Sequence, residues 1–127
     1  MPRKPSRKTL IKKLDALFSQ YVRKKNADKN DMCTCVTCKQ KIHFKEIQAG
    51  HFMSRKHYST RWDIDNVHPQ CVACNVFKYG EQYKYSLFLG ERRSKLLYLK
   101  SQKIVKFSNA DLQEMIDEFK LKLSNLT

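Results

Sequence analysis

Cys35-Val-Thr-Cys38 and Asn66-Val-His-Pro-Gln-Cys71-Val-Ala-Cys74-Asn75 are the stretches on which the fold turns. Each holds a C-x2-C pair, with residues 39–70 between them. Such a pair offers two thiolates from one tight turn, and two pairs supply the four soft ligands of a tetrahedral Zn²⁺. The chain has five cysteines. Cys33 stands too close to Cys35 to form a knuckle with it, so Cys35, Cys38, Cys71 and Cys74 are the expected zinc ligands and Cys33 is the spare. An odd count without a secretory leader argues against a disulfide framework. Met1–Lys8 is basic, but no apolar segment follows it and no run approaches the length of a membrane span. The expectation is a cytoplasmic protein that does not engage a membrane.

Outward from the knuckles the chain reads as an α+β protein of a single domain, 1–127. A basic N-terminal helix occupies 1–31, a zinc-bound ββα core 32–80, and C-terminal helices 81–127. From Ser6 onward Leu10, Leu14, Leu17, Phe18 and Tyr21 recur at spacings of three and four, the stripe of an amphipathic helix. The polar run Asn26–Asp31 ends it. Short strands are expected within Ile42–Met53 and over Val67–Cys71, with Ser54–Asp65 as a loop between them. A helix is expected to begin near Cys74 and stop near Gly80. Glu81–Leu89 and Glu91–Leu99 read as further helices separated by Gly90. Ser108, with Asp111 three residues on, caps a last helix with the stripe Leu112, Met115, Ile116, Phe119 and Leu123. The aromatic set Phe77, Tyr79, Tyr83, Tyr85 and Phe88 reads as core rather than as a platform for stacking bases.

Charge points to a polyanionic partner. Against 12 Asp+Glu the chain carries 26 Lys+Arg, a formal net charge of +14. So large an excess repels itself unless an anion neutralises it, and nucleic acid is the commonest such anion. The excess is steepest in residues 1–31, where Arg3, Lys4, Arg7, Lys8, Lys12 and Lys13 cluster.

The chemistry lies between the knuckles. Gly50-His51 stands where a strand should end, and Asn75 directly follows Cys74. A zinc site that fastens a hairpin to a helix brings that histidine towards the helix's first turn. Phosphodiester hydrolysis needs a base to take a proton from water, and a cation to neutralise charge on the phosphoryl and leaving oxygens. His51 titrates in the range a base requires, and Asn75 offers an oxygen to a hard cation such as Mg²⁺ or Mn²⁺. Asn66 belongs to the same constellation, placed to brace the loop by hydrogen bonds to backbone. Between His51 and Asn66 the chain carries Arg55, Lys56, His57 and Arg61. Of these, Arg55 and Arg61, then Lys56, are the expected DNA-backbone anchors, because Arg grips a phosphate through paired hydrogen bonds.

Cys35-x2-Cys38, Ala49-Gly50-His51 and Asn66-x-His68-x-Gln70-Cys71-x2-Cys74-Asn75 together resemble the HNH nucleases. More closely the chain is similar to the NinG/Rap recombination proteins of lambda-like phages. Asp15–Val22, Tyr83–Leu89 and the closing Asp111–Phe119 segment extend that resemblance from about Leu10 onward. It implies a zinc-stapled, treble-clef-like ββα-metal core and a metal-dependent endonuclease. It further implies action on branched recombination intermediates such as Holliday junctions, and a homodimer. One position departs from the pattern. Many HNH enzymes place an Asp or His metal ligand directly before the general base, and here that residue is Gly50. The catalytic metal is then expected on Asn75 and His68, with Asp65 and Asp63 behind. A non-catalytic zinc-dependent DNA-binding module needs only the cysteines and a basic face. It has no use for His51 opposite Asn75.

Overall fold

The computed structural model describes residues 3–126. Helix α1 (Arg7–Lys25) leads into a hairpin of β1 (Met32–Thr34) and β2 (Lys41–His43). A second antiparallel hairpin pairs β3 (Gln48–His51) with β4 (Val67–Gln70), and the segment joining them carries a single-turn helix, α2 (Tyr58–Arg61). A π-helical turn (Ala73–Phe77) follows, then α3 (Gln82–Leu89), α4 (Glu91–Ser101) and α5 (Asn109–Ser124).

Both long helices start where their caps dictate. Ser6 Oγ accepts the Thr9 amide at 3.2 Å. Ser108 and Asp111 form a reciprocal capping box, with amide-to-side-chain distances of 3.0 and 2.9 Å. Leu10, Leu14, Phe18 and Val22 form the buried face of α1, one residue per turn, and Leu112, Ile116 and Phe119 that of α5. The two faces meet: the Phe18 ring stands edge-on to Phe119 with centroids 5.1 Å apart, and Trp62 and Val67 close the cluster. Each such side chain contributes about 1.5–3 kcal/mol when fully buried. Cys33, Cys35, Cys71 and Cys74 make a second small cluster with Ile47, while Cys38 is exposed. Val36, Phe52, Tyr85, Leu89 and Leu97 make a third, holding α3 and α4 against the hairpins. Among the described residues no helix is long and apolar enough to cross a membrane.

The structure departs from the sequence reading in four places. β1 lies outside the expected strand region. The expected loop 54–65 contains α2. The helix expected to run from Cys74 to Gly80 is the five-residue π-helical turn. Of the five aromatics read as core, Tyr85 alone is fully buried; Phe77, Tyr79 and Tyr83 are 74%, 90% and 75% exposed, and Phe88 is also exposed. α3 explains the split, since Tyr85 and Leu89 share its inner face one turn apart while Tyr83 and Leu87 share the outer one.

Candidate metal centre and catalytic cleft

The sulfurs of Cys35, Cys38, Cys71 and Cys74 all lie within 4.8 Å of one another. Cys38 and Cys71 Sγ are 3.7 Å apart, close to the edge of a tetrahedron with Zn–S of about 2.3 Å. The backbone builds this spacing. In the first knuckle Lys39 turns the chain at φ 68°, its amide donating to the Cys35 carbonyl at 2.8 Å. The Val36 amide donates to the Pro69 carbonyl at 3.0 Å, tying that knuckle to β4. In the second, the Cys74 amide donates to Cys71 Sγ at 3.4 Å. Four thiols this close resist ionising together: burial and the neighbouring thiols push Cys74 up to about 12. A divalent cation reverses that preference, so the donor set suits a structural metal such as zinc. Cys33 stands apart, its Sγ donating to the Arg23 carbonyl at 3.1 Å.

The β3–β4 register sorts the two histidines of the hairpin. His51 faces Val67 and Gly50 faces His68, so His51 and His68 project from opposite sides. His51 enters a cleft of about 680 Å³ whose lining includes Asp15, Glu46, Gln48, Arg55 and Asn75. Its Nε2 lies 2.9 Å from the Arg61 carbonyl oxygen. A carbonyl only accepts, so Nε2 carries the proton and Nδ1 keeps its lone pair. Burial holds His51 down to about 4, against a smaller upward pull from that carbonyl bond. The imidazole is therefore neutral near pH 7. On the cleft wall, Asn75 Nδ2 donates to Gln48 Oε1 at 2.8 Å, which leaves the Asn75 Oδ1 lone pairs for a cation.

His68 is not in this cleft. It packs edge-on to Tyr85 and Phe88, with Nδ1 3.1 Å from the Tyr85 hydroxyl, which itself donates to the Gly50 carbonyl at 2.6 Å. The pairing of His68 with Asn75 on one cation is thus not met by the geometry, because the pleat of β4 sends His68 to the other face. Asp65 shares a smaller hollow with His68, and Asp63 pairs with Lys100 at 2.6 Å. Asn66 is fully buried. Its Oδ1 accepts the Met53 amide at 2.8 Å, and its Nδ2 donates to the Met53 and Thr60 carbonyls, each at 3.0 Å. These bonds fix the segment that carries the Arg61 carbonyl.

The family model of the bacteriophage lambda NinG protein matches residues 3–127. The chain belongs to the NinG family. No curated protein and no solved structure gives a significant match.

In this NinG-family chain the three expected phosphate anchors occupy different environments. Arg55 lines the cleft with its side chain 63% exposed. Lys56 is exposed but borders a separate hollow beside α4. Arg61 is committed internally: it donates to both Asp15 oxygens at 3.1 and 2.6 Å and to the Arg55 carbonyl at 2.9 Å. Trp62 Nε1 also donates to Asp15, at 3.0 Å. Asp15, Glu46 and Gln48 are site residues that sequence reasoning missed. Asp15 had a signal, being the one acid in an otherwise basic α1. Gln48 had none, because its role depends on the tertiary placement of Asn75.

Proposed function

We propose that this protein is a metal-dependent DNA endonuclease of the HNH type, acting on branched recombination intermediates such as Holliday junctions. The observation that carries the reading is the His51–Arg61 carbonyl bond, which leaves Nδ1 unprotonated on a ring that lines the same cleft as Asn75. His51 acts as the general base, taking a proton from the attacking water on Nδ1 while Nε2 stays fixed. An incoming phosphate raises the proton affinity of the imidazole by its charge, countering the burial that depresses it in the free protein. Asn75 Oδ1, held by Gln48, serves as a ligand for Mg²⁺ or Mn²⁺, with Asp15 and Glu46 as the nearby carboxylates. The cation, when bound, neutralises charge on the phosphoryl and leaving oxygens. Arg55 at the cleft mouth grips the adjacent phosphate. Zn²⁺ on the four cysteines keeps β4 and the turn bearing Asn75 in register.

The NinG family membership, with the HNH-like order of His51, Asn66 and Asn75, supports the branched substrate, and the self-complementary geometry of a four-way junction suits a homodimer. The test incubates purified protein with labelled linear, forked and four-way DNA in Mg²⁺, in Mn²⁺ and in EDTA. Cation-dependent cutting, greatest on branched DNA and abolished by His51→Ala, is the expected result. Binding without cutting under every cation condition identifies a zinc-dependent DNA-binding module instead.

A further inference from the structure

The exposed rings of Phe77, Tyr79 and Tyr83 crowd into residues 77–83, directly after the cleft residues Asn75 and Val76. Water-facing aromatics on a turn are costly, and this turn is not loose. The Gly80 amide donates to the Cys74 carbonyl at 2.8 Å, and the Gly80 carbonyl accepts from buried Gln70 Nε2 at 2.8 Å. Both backbone groups of the turn's centre are therefore tied down, one to the second cysteine knuckle and one to the end of β4. Tyr79 is held there at φ 53°, in the left-handed region that a bulky side chain rarely occupies, and its ring gains no packing in return. Cations interleave with the rings: Lys78 is exposed, and Lys84 is half exposed, 3.6 Å from Glu81. Rigid aromatics alternating with lysines, following directly in the chain on the cleft residues Asn75 and Val76 in a chain of net charge +14, suit the π-faces and phosphates of unpaired nucleotides. An apolar protein partner has no use for the lysines.

We propose that Phe77, Tyr79 and Tyr83 form a stacking platform for nucleobases unpaired at a branch point, beside the strand that enters the cleft. The platform rests on the nuclease reading and deepens it. It supplies a reason for branched over linear substrate, since a fully stacked duplex offers no free base to these rings.

The test uses the full zinc-loaded chain carrying His51→Ala, so that DNA survives, with linear duplex and a four-way junction bearing 2-aminopurine at the branch. Phe77→Ala, Tyr79→Ala and Tyr83→Ala are each expected to weaken junction binding about tenfold and to abolish quenching of the 2-aminopurine. Duplex affinity and melting temperature stay unchanged, and Tyr83→Phe retains wild-type binding. Retention of junction preference and quenching by the triple alanine variant overturns the platform. So does conversion of a dimer to a monomer by these substitutions with quenching intact, which assigns the rings to self-association. In either case cutting by the otherwise wild-type chain leaves the nuclease reading standing. If that chain neither binds nor cuts any of these DNAs, both readings fall together.

Discussion

Gly50 shows how a single position can be closed to chemistry by its neighbour. A Cβ built there lies 2.0 Å from Gln70 Oε1 and 2.8 Å from Gln70 Cδ, so Gln70 occupies the space that a side chain at position 50 requires. The amide that fills this space is buried, its Oε1 without a hydrogen-bond partner among the described residues. Gly50→Ala should therefore lower stability by about 1–3 kcal/mol through overpacking, and Gln70→Ala in the same chain should relieve part of that loss, both read from denaturant midpoints. Beside it, His51→Ala is expected to reduce cleavage on the order of 10²–10⁴-fold while melting and DNA affinity are retained; normal turnover in the variant rejects the base assignment. The same residue sets an acid limb of stability. Burial holds both His51 and His68 down to about 4, whereas an imidazole in the unfolded chain titrates near 6.5. Between those values the unfolded state takes up protons that the native state refuses. The histidine contribution is thus whole above pH 6.5, erodes as pH falls, and is lost below pH 4. A His51→Gln variant should show a shallower decline in melting temperature over that interval than the parent.

The hairpins are too short to stand alone, with strands of three or four residues. Four thiols lie together between them, and a metal held there would couple its binding to folding of the centre. Cys71→Ser or a strong chelator should strip the metal and expose the amides of β1–β4 to rapid hydrogen exchange; full protection after either treatment excludes a structural metal. Elements of this kind were legible to the extent that their cause is local. The α1 stripe, the Ser108–Asp111 box and the paired knuckles depend on residues a few positions apart, and each appears in the structure. The π-helical turn was not legible, because its backbone bonds, Lys78 to Ala73 and Gly80 to Cys74, leave no signal in residue periodicity. Nor was the exposure of Phe77, Tyr79 and Tyr83 legible from hydrophobicity, which counts an aromatic as core without knowing what faces it. For Tyr83 the period of α3 held the missing information: Tyr85 and Leu89 fall on one face and Tyr83 on the other.

Across the whole molecule, the site assembles from parts far apart in the chain, which is why only half of it could be read in advance. His51 and Asn75 come from motifs. Asp15 reaches them from α1, and it captures Arg61, a residue whose composition alone suggested a free phosphate anchor. Arg55→Ala and Arg61→Ala should consequently differ in kind. In a salt titration of DNA affinity, Arg55→Ala should weaken binding similarly across sequences and flatten the salt slope by about 1. Arg61→Ala should act first on stability, since it removes the closer of the two cations that pair with the half-buried Asp15 carboxylate, leaving Arg55 at 4.0 Å; an unchanged melting temperature there shows the Arg61 ion pair to be dispensable. The pairing of α1 with α5 has a consequence in time. Arg7 bonds to the carbonyl of Phe107, 100 residues later, and the wall of the cleft carried by Asp15 and Phe18 is backed by Phe119. On the ribosome, α1 waits for its partner until Asn109–Ser124 has emerged. A nascent fragment that stops short of α5 lacks the backing of the cleft wall, so whatever the cleft binds must wait for α5.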